Sequence, residues 1–206
     1  MKKLFAPGCA LQNYKPDLIS RMSRFLQDAS ITDGVYTTCC KAGQPADEPV
    51  TLITCCPGCS HKFEATFSDV NVISLWKVLL ETDFPFPDYH GAQMSIHDSC
   101  HVRHRNSSEM QDSARQLCYR MNIQLIEPEF TRDQARCCGG SAGDPAVRKE
   151  MALQRAREFP VKDVVVYCTG CTRSFSITDA APRHLLDLLF EEPTAGLYPP
   201  GYEKTP

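Results

Sequence analysis

The sequence predicts an α/β protein made of two pseudo-symmetric halves, each a small parallel, Rossmann-like sheet that carries a five-cysteine site. Three observations lead to this prediction. Short β-prone runs alternate with amphipathic segments, which is typical of parallel α/β folds. Cysteines occur twice in the same order: a single cysteine, an adjacent pair and a C-x-x-C. A Pro- and Phe-rich segment, Phe84-Pro85-Phe86-Pro87-Asp88, separates the two sets.

These features set the expected domain boundaries. We predict a first half at residues 1–83, a linker at 84–91, a second half at 92–190 and a Pro-rich tail at 191–206. A chain of 206 residues is long enough for two small related halves of about a hundred residues each.

The first half is predicted to alternate strands with short helices. A helix is indicated by apolar residues at i, i+3 and i+4 spacing, namely Leu18, Ile19, Met22, Phe25, Leu26 and Ala29. The predicted strands are Lys3–Ala6, Val35–Thr38, Val50–Thr54 and Val70–Ser74. A further helix is predicted at His61–Phe67, and a helical turn runs through Leu80.

The second half repeats this plan with longer connections. Asp144-Pro145 is a good N-cap and N1 pair, and it opens a helix that extends to about Phe159. The other expected elements are strands at Met94–His97, Ile123–Ile126 and Val164–Tyr167, and helices at Ser107–Asn122 and Arg183–Phe190. Twenty-nine residues separate the cysteine pair from the C-x-x-C here, against fifteen in the first half, which therefore lacks the Asp144-Pro145 helix.

Composition excludes several classes of function. A net charge of −3 and a pI near 6.1 argue against a nucleic-acid-binding protein. Apolar runs stay short of the roughly 18 residues that a membrane helix needs, and the basic start lacks the apolar stretch of a signal peptide. We therefore expect a cytoplasmic protein. Twelve cysteines in a reducing compartment indicate metal or redox chemistry rather than a disulfide-stapled extracellular domain.

Motifs of other enzyme classes are missing from the sequence. It contains no G-x-S-x-G, no P-loop and no G-x-G-x-x-G. Ferredoxin-type C-x2-C-x2-C-x3-C runs are absent as well, so an electron-transfer chain would continue in a partner protein.

The order Cys, Cys-Cys-Gly, C-x-x-C resembles the cysteine-rich CCG-domain family. That family includes the cysteine-rich subunit of heterodisulfide reductase and iron–sulfur subunits of complexes that oxidise glycolate, lactate and glycerol-3-phosphate. The second half carries the resemblance through Asp98-Ser99-Cys100-His101, Cys137-Cys138-Gly139-Gly140, Cys168-Thr169-Gly170-Cys171 and His184-Leu185-Leu186-Asp187-Leu188-Leu189. The first half departs from the pattern, because Lys41 stands where the family has glycine and the loop is short.

The resemblance implies a cofactor, a ligand set and an activity. Each half would hold a noncubane [4Fe–4S] cluster, one through Cys9, Cys39, Cys40, Cys56 and Cys59 and the other through Cys100, Cys137, Cys138, Cys168 and Cys171. The implied activity is the reduction or formation of a disulfide from small-molecule thiols. The implied partner is an electron donor, such as a flavoprotein or a ferredoxin-like subunit. Two alternatives stay open: an electron-relay subunit of a lactate- or glycolate-oxidising complex, and a zinc-binding scaffold or redox sensor.

The residues themselves leave some assignments open. Five thiolates exceed the four that a cubane cluster or a tetrahedral zinc ion takes, so each set fits either an unusual cluster or a four-ligand site with a spare thiol. Zinc remains an alternative, notably in the first half. Spacing cannot decide between Cys55 and Cys56 as a ligand, and Cys118 is expected in the core.

A basic, histidine-rich stretch follows the strand that leads to Cys100. Its possible catalytic residues are His101, His104 and Arg103, with His97 and Arg105 nearby, which could bind an anionic substrate or transfer protons. The favoured interpretation is a polar loop over the cofactor. Asp98 is expected to orient that loop rather than to act as a base.

Overall fold

A computed structural model gives the architecture of the chain, and it describes residues 1–39, 48–102 and 107–194. The predicted ligand Cys40 lies outside the described residues, as do Lys41, Arg103, His104, Arg105 and the end of the tail from residue 195.

Two four-stranded parallel sheets form the frame. The first sheet contains β1 (Lys2–Ala6), β2 (Gly34–Val35), β3 (Val50–Thr54) and β4 (Val70–Ser74) in the order β2-β1-β3-β4. The second contains β5 (Gln93–His97), β6 (Gln124–Ile126), β7 (Asp163–Val166) and β8 (Ala181–His184) in the equivalent order β6-β5-β7-β8. This shared topology confirms the prediction of an α/β protein with two Rossmann-like halves.

Eight α-helices accompany the strands in the described part of the chain. They are α1 (Cys9–Tyr14), α2 (Pro16–Asp28), α3 (Pro57–Thr66), α4 (Leu75–Leu80), α5 (Ser107–Arg120), α6 (Pro145–Arg157), α7 (Thr169–Phe175) and α8 (Leu185–Leu189). Helix α6 begins as its sequence predicts, because the Asp144 carboxylate accepts hydrogen bonds from the amides of Ala146 and Val147 at 2.7 and 3.3 Å. Between β2 and β3 the described residues contain no helix that corresponds to α6.

Some predicted elements were wrong in extent. Helix α3 begins at Pro57 rather than His61, because proline at the first helical position is already fixed at a helical φ. Arg183 belongs to strand β8, which pairs with β7, and the final helix starts only at Leu185. Strand β2 ends at Val35 instead of Thr38. Helices α1 and α7 had not been predicted.

One hydrophobic core joins the two halves. It contains residues of both sheets together with residues of α2, α4, α5 and α8, among them Phe5, Ile53, Trp76, Ile96, Leu117 and Val165. A polar contact reinforces this junction, since the hydroxyl of Tyr14 donates a hydrogen bond of 3.0 Å to the buried carboxylate of Asp187. In the part of the chain that the structure describes, no helix is both long and apolar enough to cross a membrane.

Candidate metal centre

Four of the cysteines follow the carboxyl ends of the two central strands of each sheet. Cys9 follows β1 and Cys56 follows its neighbour β3, while Cys100 follows β5 and Cys168 follows its neighbour β7. In each sheet the chain leaves these neighbouring strands in opposite directions, so their ends border the crevice where open parallel sheets bind ligands. The fold therefore places both candidate sites at the expected ligand positions.

Five sulfurs converge in the second half. Cys137 Sγ lies 3.6 Å from Cys100 Sγ, and Cys138 Sγ lies 3.3 Å from Cys171 Sγ. The Cys168 sulfur contacts that of Cys171. These separations are far longer than the roughly 2.05 Å of a disulfide bond. The C-x-x-C brings its two sulfurs together because Cys168 is the N-cap of α7, and Cys171 lies on the first turn of that helix.

The two glycines after the cysteine pair allow close packing around it. Gly139 has φ +77°, and a β-carbon there would lie 2.7 Å from the carbonyl oxygen of Arg148 on α6. Its amide donates to Cys137 Sγ at 3.3 Å. A β-carbon on Gly140 would lie 3.2 Å from the carbonyl oxygen of Gly170. Glycine is therefore needed at position 139, and at position 140 a side chain would crowd the C-x-x-C turn.

One buried carboxylate is hydrogen-bonded to, or part of, each of the three segments that carry the second-half cysteines. Asp98, two residues before Cys100, is fully buried and accepts two hydrogen bonds from the guanidinium of Arg115, at 3.0 and 2.8 Å. Tyr167, the residue before Cys168, donates to it at 2.6 Å. The amide of Arg132, on the loop that leads to Cys137, donates at 2.7 Å. Asp98 thus holds Arg115, Tyr167 and the backbone of Arg132 in fixed positions around the second-half cysteines.

The pKa of Asp98 agrees with a permanently ionised group. Burial alone would raise it, but the hydrogen bonds and charge of Arg115, with further hydrogen bonds from Tyr167 and Arg132, lower it to about 2. A carboxylate that stays ionised this far below neutral pH does not serve as a base near neutrality.

The first-half cysteines are more exposed. Cys9 Sγ lies 3.9 Å from Cys39 Sγ, and a β-carbon on Gly8 would lie 2.6 Å from Cys59 Sγ, so Cys59 is adjacent to the same turn. Cys9 is exposed, and Cys39 and Cys59 are partly buried. The fifth residue of the expected set, Cys40, is not described.

The structure separates Cys55 from Cys56. Cys55 is buried, and its thiol donates to the carbonyl oxygen of Pro7 at 3.4 Å. The thiol of Cys56 instead contacts the sulfurs of Cys59 and Cys168. The geometry thus favours Cys56 as the ligand and Cys55 as a core residue. Cys118 is also fully buried in the core, on α5.

The two sites adjoin each other. Cys56, from the first half, packs against the apolar cluster that contains Cys138, Cys168 and Cys171. The imidazole of His101 lies 3.5 Å from the position of a β-carbon on Gly58, in the first-half C-x-x-C. A cleft of about 90 Å³ opens beside the second site, lined by Ser99, Cys100, His101, Cys138, Gly140, Ser141, Cys168, Gly170 and Cys171.

The comparisons with known proteins agree with this geometry in the second half. Residues 94–176, from β5 to the end of α7, match the family model described as the CCG cysteine-rich domain. We call these matched residues the CCG domain. The match includes all five second-half cysteines and confirms the resemblance indicated by their motifs.

Two further comparisons add little to this. No curated protein sequence matches the chain. Among solved structures, the aspartate racemase of Picrophilus torridus is similar with a TM-score of 0.35 and 12% identity, over 92% of this chain and 91% of that chain. A likeness this weak assigns neither fold nor activity.

Protonation in the CCG domain is shared unequally among its thiols. Hydrogen bonds from Cys100 and Cys138, with the Gly139 amide, lower the pKa of Cys137 well below its usual range. Hydrogen bonds from Cys171 and Cys56 lower that of Cys168 in the same way. Each donating thiol has a raised pKa. Thiols clustered in this way form a site that a metal stabilises, because the metal displaces their protons.

The donor set fits a metal or iron–sulfur cofactor. Clustered thiolates are the ligands of soft metals and iron–sulfur clusters. Backbone amides such as that of Gly139 supply the hydrogen bonds to sulfur that such centres use. The CCG domain therefore offers a soft-metal site, with Cys100, Cys137, Cys138, Cys168 and Cys171 as its candidate ligands.

Several residues that support the site were not indicated by the sequence. Arg115 and Tyr167 lie far from Asp98 along the chain and showed no motif of their own, although Tyr167 directly precedes Cys168. His97 was grouped with the polar loop, but it is only 1% exposed and lies between Phe159 and Phe175. His101 is the one described member of the catalytic candidates, and it lines the cleft.

Proposed function

We propose that this chain is an iron–sulfur redox protein that reduces or forms a small-molecule disulfide, in the manner of the cysteine-rich subunit of heterodisulfide reductase. The observation that carries the proposal is the cleft beside the CCG site. Four of the five candidate ligands line it, and among the described residues no large apolar side chain does. A disulfide reductase needs such access, whereas a pure electron relay works with its clusters covered.

The chemistry requires a reductant and two protons. A disulfide accepts two electrons and two protons, its S–S bond breaks, and two thiols leave. When bound, iron–sulfur clusters supply one-electron transfer and an iron that accepts a sulfur ligand. We place the source of the electrons in a partner protein, a flavoprotein or a ferredoxin-like subunit.

The chain's own residues hold and shape this site. Gly140 and Gly170 lack side chains and so leave room for a substrate sulfur near Cys138 and Cys168. His101 lines the same cleft and is a candidate proton donor to a departing thiolate. The contact between Cys56 and Cys168 supports a two-site arrangement, in which each half would deliver one electron.

A first experiment measures the cofactor. Protein purified without oxygen should contain about eight iron and eight sulfide ions per chain, which corresponds to two four-iron clusters. Small thiols should then change the EPR spectrum of the oxidised protein with no partner present. With an artificial electron donor, the isolated chain should cleave an asymmetric disulfide.

A pair of variants makes the activity test specific. Cys138→Ser should abolish disulfide cleavage, because it removes a candidate ligand that lines the cleft. Cys118→Ala, which changes a buried cysteine remote from the site, should retain it. Full iron content without thiol effect or disulfide turnover would contradict the proposal and favour the electron relay of a 2-hydroxyacid-oxidising complex.

One observation favours the zinc-binding scaffold as a second candidate. The sulfur–sulfur distances of 3.3, 3.6 and 3.9 Å are close to the edge of a zinc tetrahedron, about 3.8 Å for Zn–S bonds of about 2.3 Å. A colourless anaerobic preparation that contains stoichiometric zinc and no sulfide would establish this alternative and exclude the iron–sulfur proposal.

A further inference from the structure

We propose that His97 is a positioning residue of the CCG site, not a ligand. Its Nε2–H is the donor available to the sulfurs of Cys138 and Cys171 when these bind a metal or cluster, and Arg155 fixes the tautomer that makes this possible. The part of the inference that concerns redox potential rests on the proposed iron–sulfur function. The part that concerns the tautomer does not.

The tautomer follows from the contact with Arg155. Arg155 Nε lies 3.4 Å from His97 Nδ1. A guanidinium has only donors and stays protonated, so the nitrogen that faces it must offer its lone pair. A neutral imidazole carries a single proton, which is then on Nε2. Burial first, and then the charge of Arg155, lower the pKa of His97 to about 4, which agrees with a neutral ring.

Arg155 is held in place independently of the histidine. It is itself 1% exposed, donates to Glu158 at 2.6 Å and donates to the carbonyl oxygen of Phe130 at 2.8 Å. The histidine ring is fixed as well, by edge-to-face contacts with Phe159 and Phe175 at centroid distances of 6.0 and 4.9 Å. Neither ring nor guanidinium is free to turn away from the contact.

Nε2 is the ring nitrogen that remains available as a donor. It is buried and has no hydrogen-bond partner among the described residues. A ring nitrogen of His97 and the sulfurs of Cys138 and Cys171 all lie within 4.8 Å of one another. A buried N–H without a partner is costly, and a thiolate or a metal-bound sulfur would satisfy it.

The same geometry argues against His97 as a metal ligand. A ligand needs the Nε2 lone pair, which would move the proton to Nδ1 and set two donors against each other at the Arg155 contact. As a donor to sulfur, His97 instead stabilises the more negative state of the centre. It should therefore raise the reduction potential.

The tautomer is tested by NMR on the metal-free full chain labelled with 15N-histidine. The nitrogen and coupling pattern of His97 should show a proton on Nε2 and a lone pair on Nδ1. A proton on Nδ1 would overturn the inference. This measurement needs no cluster, so it decides the question even if the anaerobic protein contains no iron and the proposed function fails.

The redox effect is tested on the cluster-loaded protein. His97→Phe should leave the iron content unchanged and lower the midpoint potential, by about a tenfold change in the reduction equilibrium, or about 59 mV for one electron. His97→Gln keeps an N–H donor and should restore part of the shift, while the exposed control His90→Phe should cause none. Loss of iron in His97→Phe, or an unchanged potential, would refute the role.

Discussion

The sulfur of Cys56 in the first half contacts the sulfur of Cys168 in the second half. The contact arises because the carboxyl ends of the two sheets approach each other, which also brings His101 against Gly58. Cys9, in contrast, lies near two cysteines of its own half, Cys39 and Cys59. The described cysteines of the two halves are therefore neighbours that meet at Cys56.

This relationship predicts different effects for two first-half variants. Cys56→Ser should disturb both centres, because it removes a candidate ligand of one and a sulfur that contacts Cys168 in the other. Cys9→Ser should disturb only the first. EPR spectra of anaerobic, cluster-loaded variants would distinguish the two signals. Identical spectra for the two variants would show that the sites are not in contact.

If each half holds the proposed cluster, the exposure of the cysteines predicts the order in which the two clusters are lost in air. Cys138, Cys168 and Cys171 are buried, whereas Cys9 is exposed and Cys39 and Cys59 are only partly buried. Oxygen should therefore remove the first-half iron first. Cys168→Ser should eliminate the air-stable fraction of iron, and Cys9→Ser the air-labile fraction, with Cys118→Ala as the unchanged control. Iron analysis at intervals after exposure to air measures this, and the reverse order would contradict it.

Much of the fold could be predicted because its signals are local. The limits of Val50–Thr54 and Val70–Ser74 were predicted to the residue, since each is a β-prone run that ends at a cysteine or a helix cap. The start of α6 was predicted for the same reason, from a capping aspartate followed by proline. The family match in the second half likewise depends on short motifs that can be recognised within the sequence.

The supporting residues could not be predicted because their partners are distant in sequence. The contact between Asp98 and Tyr167 spans 69 residues, and that between Arg155 and His97 spans 58. Neither pair has a spacing that signals contact. Strand β8 was missed because Pro182 and the charged Arg183 give it no β-prone pattern, and it forms only by pairing with β7.

The buried carboxylate of Asp98 should be a major source of stability. Asp98→Asn leaves Arg115 buried with half of its ion pair lost, and we expect the free energy of unfolding to fall by about 3 kcal/mol. Asp112→Asn is the matched control, because that carboxylate pairs with Arg132 at the surface and should cost less than about 1 kcal/mol. Urea unfolding of the metal-free proteins measures both. Equal effects would show that Asp98 is not the organising residue.

The same variant should change how stability depends on pH. The pKa of Asp98 is about 2 in the folded protein, against an ordinary value of 3.8, so its stabilising effect is present above pH 3.8 and is lost as the pH falls towards 2. This difference in pKa corresponds to about 2 kcal/mol of unfolding free energy, at 1.36 kcal/mol per pKa unit. The gap in unfolding free energy between the wild-type protein and Asp98→Asn should therefore narrow by about this amount between pH 4 and pH 2. A constant gap would contradict the assigned pKa.

The turn after the cysteine pair offers a test of whether backbone geometry holds the CCG site together. Gly139→Ala places a side chain at φ +77°, where the new β-carbon meets the Arg148 carbonyl oxygen at 2.7 Å and the Met151 β-carbon at 2.9 Å. Positive φ costs about 1 kcal/mol or more, and the overlap with α6 adds to it, so we expect a loss of about 2–4 kcal/mol in unfolding free energy.

The Gly139→Ala substitution should also weaken binding of the cofactor. Gly139 directly follows Cys137 and Cys138, and its amide donates a hydrogen bond to the Cys137 sulfur. Gly139→Ala should therefore lose second-half iron even where the protein remains folded by circular dichroism. Gly143→Ala is the control four residues away: its φ is not in the left-handed region and a β-carbon there meets nothing within 4 Å. It should change unfolding free energy by less than about 0.5 kcal/mol and retain iron. If both variants keep full iron, the tight turn at Gly139 is not what positions the two cysteines.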